Sequence, residues 1–146
     1  MRADRSSARV STAAAVLCVV AALPFAASVG RAFASSTWYE DADGYAEAVR
    51  RREAERVPML VYFHVDWCPY CRAFDRLLED SEMRRRLVSA LKVRVNPEHG
   101  AAERSLFEES FGAKGYPAIY WVPVGGTPRR VSSKGPAAAF LAQLVP

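Results

Sequence analysis

The sequence predicts an α/β protein with a central mixed sheet flanked by helices. Three observations carry that expectation. Met59 to Val65 is a nearly continuous apolar run of seven residues, suited to a central strand buried on both faces. Phe74, Leu77 and Leu78 follow at i, i+3 and i+4, the period of a helix with one apolar side. Gly125-Gly126 stands between two short strand patterns and signals a hairpin. Beyond the first 34 residues the predicted order is α-β-α-β-α-β-β-α.

Residues 1–34 have the pattern of an export signal. Arg2, Arg5 and Arg9 form a positive start, and Ala13 to Ala22 an apolar stretch interrupted by Pro24. Ala32-Phe33-Ala34 is a small-x-small site that predicts cleavage after Ala34. An uncleaved segment over residues 13–29 would instead be an anchor, although it is short and Ala-rich for a membrane span. Cys18 follows Leu17, where a lipoprotein signal wants a small residue. Either outcome places the folded part in the periplasm or on an extracytoplasmic face, where disulfide chemistry is permitted.

The remainder is long enough for one domain with a sizeable core. Its net charge is small. Without Arg2, Arg5, Arg9, Arg31 and Asp4, the 20 basic and 16 acidic residues become 16 and 15, a net of +1. That balance gives no electrostatic footprint for nucleic acid. Arg50-Arg51-Arg52 and Arg84-Arg85-Arg86 fall inside helical patterns and read as solvated helix faces.

Residues 35–43 read as a polar lead-in, and residues 44–146 as the domain. Asp43 is placed to cap a helix from Gly44 to Arg56, with Tyr45 and Val49 inward. Pro58 ends it and biases Val57 to extended geometry. Pro69 suits the first turn of the helix that carries Phe74, Leu77 and Leu78. Asp80-Ser81 breaks and recaps it, and Met83, Leu87 and Val88 continue an apolar face. Leu91 to Val95 alternates apolar and basic residues, as in a half-buried strand. After the Asn96–Gly100 loop, Ala101 to Phe111 is a short amphipathic helix with Gly112 as its C-cap. Ile119 to Val124 and Arg129 to Ser132 are the hairpin strands. Pro136 opens a last helix, with Phe140, Leu141 and Leu144 on one face. The short C-terminus leaves little surface for a further partner, and a monomer is expected.

The chemistry centres on Trp67-Cys68-Pro69-Tyr70-Cys71, where the apolar strand hands over to a helix N-terminus. Unpaired backbone N–H groups and the helix dipole favour Cys68 as a thiolate. Cys71, one turn on, can reach back to attack a mixed disulfide at Cys68. Cys68 is thus the expected exposed nucleophile and Cys71 the more buried resolving thiol. Trp67 offers a flat apolar surface for a docking peptide. Two other uses of the pair were weighed. A zinc site would draw on His64 and His99, but their spacing is not that of paired ligands, and no metal is expected. A purely structural disulfide would close too short a loop to restrict the unfolded chain much.

With the later Gly115-Tyr116-Pro117 before a strand and the Gly-Gly hairpin, the chain from about Gly44 to Val145 resembles the thioredoxin superfamily. It is most similar to exported thioredoxin-like domains such as the C-terminal domain of the bacterial transmembrane thiol:disulfide interchange protein. Asp66-Trp67-Cys68, Asp80-Ser81 and Val93-x-Val95-Asn96 carry that likeness, while Cys-Pro-Tyr-Cys itself resembles the glutaredoxin tetrapeptide.

The resemblance implies a thioredoxin-like fold and a redox-active Cys68–Cys71 disulfide, with no other cofactor. It implies a cis Tyr116–Pro117 bond and backbone hydrogen bonds from Tyr116 to an extended substrate, with Trp67, Pro69 and Tyr70 in the same binding surface. Two positions depart from the family pattern. Tyr62 stands where thioredoxins commonly bury a carboxylate, which leaves Asp66, His64 and Glu79 as substitute proton acceptors. Ala118 stands where Thr is common. The implied activity is disulfide exchange with protein disulfide or dithiol substrates. The compact domain favours the reductase direction, with a membrane thiol transporter as electron donor. The alternative is a non-catalytic module of the same fold that holds a client protein or a metal.

Overall fold

A computed structural model describes residues 37–144. The expected export signal over 1–34 and the alternative anchor over 13–29 lie outside the described residues. Among the described residues, no helix is long and apolar enough to cross a membrane.

The elements run β1 (Tyr39–Glu40), α1 (Asp41–Glu55), β2 (Met59–Phe63), α2 (Pro69–Leu78), α3 (Ser81–Leu87), β3 (Leu91–Val95), α4 (Ala101–Ser105), β4 (Ala118–Val122), β5 (Arg129–Val131) and α5 (Ala137–Leu141). A π-helical turn, Leu106–Ser110, extends α4, and a 3-10 turn, Ala142–Leu144, extends α5. The five strands form one sheet in the order β1-β3-β2-β4-β5. β1 and β2 flank β3 in parallel, and β4 runs antiparallel to both β2 and β5. The mixed sheet and the predicted order of the later elements are therefore present, with β1 as an addition at the front.

β2 sits at the centre because all five of its residues are apolar and buried. Strand alternation divides it between two cores. Leu60 and Tyr62 pack with Phe74, Met83, Leu87, Ile119 and Phe140 on the α2, α3 and α5 side. Met59, Val61 and Phe63 pack with Ala48, Leu91, Val93, Phe107 and Val122 on the α1 and α4 side. Burying Phe74, 2% exposed, is worth roughly 1.5–3 kcal/mol and fixes α2 on the sheet.

Four expectations are corrected. The first helix starts at Asp41, not Gly44, and Asp43 does not cap it. Instead the Ala42 N–H donates to Glu103 Oε1 of α4 at 3.2 Å, a partner 61 residues away. Gly44 lies inside this helix against β1, where a Cβ would meet the Tyr39 carbonyl carbon at 2.8 Å. The basic face of β3 is only partly open to solvent, because Trp38 and α2 lie against it. Lys92 is only 7% exposed, and the Arg94 guanidinium lies 4.9 Å from the Trp38 ring centre and 3.6 Å from the Asp75 carboxylate. Nor is the first arginine run a uniformly solvated face. Arg50 is exposed, but Arg51 bonds the Glu55 carboxylate and the Tyr39 hydroxyl, and Arg52 donates to the Pro123 and Gly126 carbonyls of the β4–β5 turn. Finally, α4 does not stay α-helical to Phe111 but widens into the π turn at Leu106. Gly112 ends it with φ 59°, and the Ala113 N–H returns to the Phe107 carbonyl at 2.8 Å. As expected, Asp80 breaks and recaps the chain between α2 and α3, accepting from the Glu82 and Met83 N–H groups at 2.8 and 3.2 Å.

Candidate active site

The chain leaves β2 at Phe63 and enters α2 at Pro69, so residues 64–68 stand at the C-terminal end of the central strand. Pro69 occupies the first helical position, where no N–H is needed. Cys68 is the N-cap, with extended backbone, and its Sγ accepts the Cys71 N–H at 3.1 Å. A sulfur thus takes the place usually filled by a capping oxygen. Cys68 and Cys71 are paired as a disulfide, with Cα atoms 5.2 Å apart.

The expected contrast in exposure between the cysteines is absent, since both are 2% exposed. The reason is packing: both belong to the cluster of Tyr62, Val65 and Phe74, with Tyr116 against it. What distinguishes them is electrostatic. The Cys68 sulfur receives a backbone donor at the positive end of α2, and a negative charge there is stabilised.

Exposed aromatic groups surround the pair. Trp67 and Tyr70 are 64% and 73% exposed, unusual for side chains of that size. Trp67 meets Tyr116 edge to face at 6.1 Å, and Tyr116 stacks on Phe107 at 4.9 Å. The Trp67 Nε1–H donates to Glu98 Oε1 at 3.0 Å. The Tyr116–Pro117 peptide bond is cis. The predicted Trp67, Pro69, Tyr70, Tyr116 and Pro117 are thus gathered around the disulfide.

The predicted proton acceptors are not gathered equally. His64 is half-buried next to Tyr62, their ring centres 5.4 Å apart. Burial, and then the Arg94 charge, hold its pKa below the ordinary histidine value, so its neutral form is favoured. Asp66 is exposed one residue before Trp67, and its carbonyl accepts from Arg72 Nη1 at 3.1 Å. Glu79 caps the far end of α2, eight residues past Cys71, about 12 Å along the helix. There it lines a separate cavity of about 490 Å³ with Trp38, Asp75 and Arg94.

Tyr62 is fully buried, and its hydroxyl donates to the Cys71 carbonyl at 3.2 Å. Burial first, and then the nearby Asp75 carboxylate, push its pKa far up, so this phenol keeps its proton. It fills the position of the expected acid with a hydrogen-bond donor.

A second polar chain was not anticipated. His99 Nδ1 lies 2.7 Å from Asp41 Oδ2, and Asn96 Nδ2 lies 3.1 Å from His99 Nε2. The Asn96 N–H donates to Asp41 Oδ1, and Asn96 Oδ1 accepts the Glu98 N–H, both at 3.0 Å. Glu98 completes the path to Trp67. Burial acts to raise the Asp41 pKa, but the Asn96 N–H and His99 outweigh it and hold the carboxyl low. The same hydrogen bond to Asp41 raises His99. Only the Asn-Pro-Glu-His run hinted at this network, and nothing local pointed to Asp41. Among the described residues, no group of three or more His, Cys, Asp or Glu side chains is arranged to hold a metal ion.

Comparison with known proteins follows the same geometry. No curated protein matches the sequence. Among solved structures, a thioredoxin from Thermus thermophilus is 27% identical with a TM-score of 0.59, covering 73% of this chain and 82% of its own. The reduced C-terminal domain of Neisseria meningitidis DsbD is 17% identical with a TM-score of 0.59, covering 74% of this chain and 96% of its own. Thioredoxin O1 from Arabidopsis thaliana is 16% identical with a TM-score of 0.55, covering 74% and 92%. The family model described as thioredoxin-like matches residues 37–123, from the start of the described chain through the cysteine pair to the end of β4. The chain belongs to that thioredoxin-like family.

Proposed function

We propose that this protein is an exported thiol–disulfide oxidoreductase that works on protein substrates through Cys68 and Cys71. The observation that carries this reading is the position of the Cys68 sulfur. It heads α2, accepts the Cys71 N–H at 3.1 Å, and stands among exposed Trp67 and Tyr70. A buried structural disulfide has no use for that exposed aromatic surround.

In the favoured reducing direction, the Cys68 thiolate attacks one sulfur of a substrate disulfide. The Cys68–substrate bond forms as the substrate bond breaks, and the released substrate thiolate takes up a proton. Cys71 then loses its proton and attacks the Cys68 sulfur, which frees the second substrate thiolate to be protonated in turn. Two electrons pass from the dithiol to the substrate, and Cys68–Cys71 is left oxidised. A membrane dithiol protein is the proposed donor that restores it. His64, which packs beside Tyr62, is the proposed acceptor for the Cys71 proton. The Tyr116 backbone is the proposed shelf for an extended substrate. The export pattern of residues 1–34 supports action outside the cytosol, and the protein is proposed to act as a monomer.

Insulin reduction by the purified protein, with Cys68→Ser as control, tests the activity. Equal behaviour of two folded proteins would leave only a binding module. Redox titration against glutathione tests the direction, and a potential well above about −180 mV would overturn the reductase assignment. Iodoacetamide should label Cys68 before Cys71 at mildly acidic pH, and the reverse order would exchange their roles.

A further inference from the structure

A groove of about 800 Å³ is lined by Tyr70, which stands between the two cysteines in sequence, and by Tyr116 and Pro117. Arg130, Lys134 and Gln143 line the same groove, and the lining contains no carboxylate. Neither Arg130 nor Lys134 forms an ion pair among the described residues. The loop that carries Lys134 is braced. Gln143 accepts the Ser132 N–H at 2.8 Å and donates to the Ser132 carbonyl at 3.0 Å, and the Lys134 N–H donates to Ser132 Oγ at 3.2 Å. Across Tyr116, by contrast, carboxylates accompany the cations. Glu98 holds Trp67 there, and Glu108 lines a smaller cavity with Phe107, Tyr116 and Lys114.

We infer that this groove selects substrate segments with an acidic side chain near the reactive cysteine, on the flank that lies over β5. The inference rests on the thiol–disulfide reading above and adds the chemistry of the substrate. Arg130 pairs with Tyr120, three residues beyond Pro117 on β4. From Pro117 to the level of Arg130 is about 10 Å of strand, a length that about three residues of extended peptide span, and the probe peptides set the acid at that distance. Two unpaired cations on a braced rim hold that carboxylate. The opposite flank, where Glu98 and Glu108 stand with Lys114 and Arg104 around Tyr116, offers a carboxylate no net positive charge.

The test uses the pre-reduced full chain in excess over disulfide-linked peptide dimers, with released peptide thiols counted after acid quenching. Matched peptides carry Glu, Ala or Lys three positions before or three positions after the cysteine, and neutral hydroxyethyl disulfide is the reference. On one flank, Glu is expected to react about tenfold faster than Lys at low ionic strength, with the ratio shrinking as salt is added. Arg130→Glu with Lys134→Glu, and Lys134→Glu alone, should invert and reduce that ratio respectively, with unchanged circular dichroism showing that both variants fold. A ratio within about twofold, or one that survives charge reversal, overturns the inference while the redox reading stands. Failure to exchange with any of these compounds, hydroxyethyl disulfide included, overturns both.

Discussion

Replacing Arg94 by Met isolates what the half-buried cation contributes. Met keeps much of the apolar stem and removes only the guanidinium. That group lies 4.9 Å from the Trp38 ring centre, 5.8 Å from that of Tyr62 and 3.6 Å from Asp75 Oδ1. Contact with the Trp38 face is worth about 0.5–1 kcal/mol. The ion pair adds at most about 1 kcal/mol, because the Arg94 and Asp75 side chains are 31% and 40% exposed and solvent screens them. Asp75 Oδ1, already without a hydrogen-bond partner, then also loses its counter-charge. The sum is about 0.5–2 kcal/mol, or a fall in Tm of about 2–9 °C for a domain of this size. A second readout is tied to the same charge. Arg94 is one of the two causes that depress His64, so the His64 titration followed by NMR should move to higher pH in Arg94→Met. An unchanged or raised Tm together with an unmoved His64 titration would refute this account of the cluster.

Further outcomes follow from the same geometry. Gly44→Ala should destabilise the fold by about 1–3 kcal/mol despite the better helix propensity of Ala, because the new Cβ meets backbone at 2.8 Å; chemical denaturation measures it. The two histidines should show opposite linkage. His99, raised by Asp41, contributes stability that is complete below the ordinary value of 6.5 and is lost as pH rises through its folded pKa. His64, depressed by burial, contributes above 6.5 and loses that contribution as pH falls through its folded pKa. NMR titrations falling on the same side of 6.5 would contradict this. Glu98→Ala frees the Trp67 indole and should slow exchange with peptide disulfides about threefold, with stability almost unchanged; an unaltered rate would separate that hydrogen bond from catalysis.

Much of the site was legible because its parts are close in sequence. An apolar strand, a cysteine at a helix start and Pro69 at the first helical position act within about ten residues, and the structure places them as the pattern requires. What stayed hidden depends on partners far along the chain. The α1 cap is Glu103, and Asp41 meets Asn96 and His99 across more than fifty residues. Lys92 and Arg94 looked solvent-facing because alternation reports two faces and not what covers them. The Arg94 contacts with Asp75 and Trp38 show that the basic face lies beside α2. The burial of Cys68 was likewise hidden, since charge stabilisation at a helix start says nothing of the packing around it.

The two residues of β1 have a consequence beyond the site. They pair with Val93 and Arg94 along the outer side of β3, and Asp41 then takes the N–H of Asn96. A segment with the composition of a lead-in therefore shortens the open edge of the sheet, since the outermost strand is now two residues long. Cutting the domain at residue 44 would uncover β3, whose apolar residues alternate along a now open ladder, and invite strand-to-strand association. The few residues before the first helix thus supply backbone partners that β3 would otherwise lack.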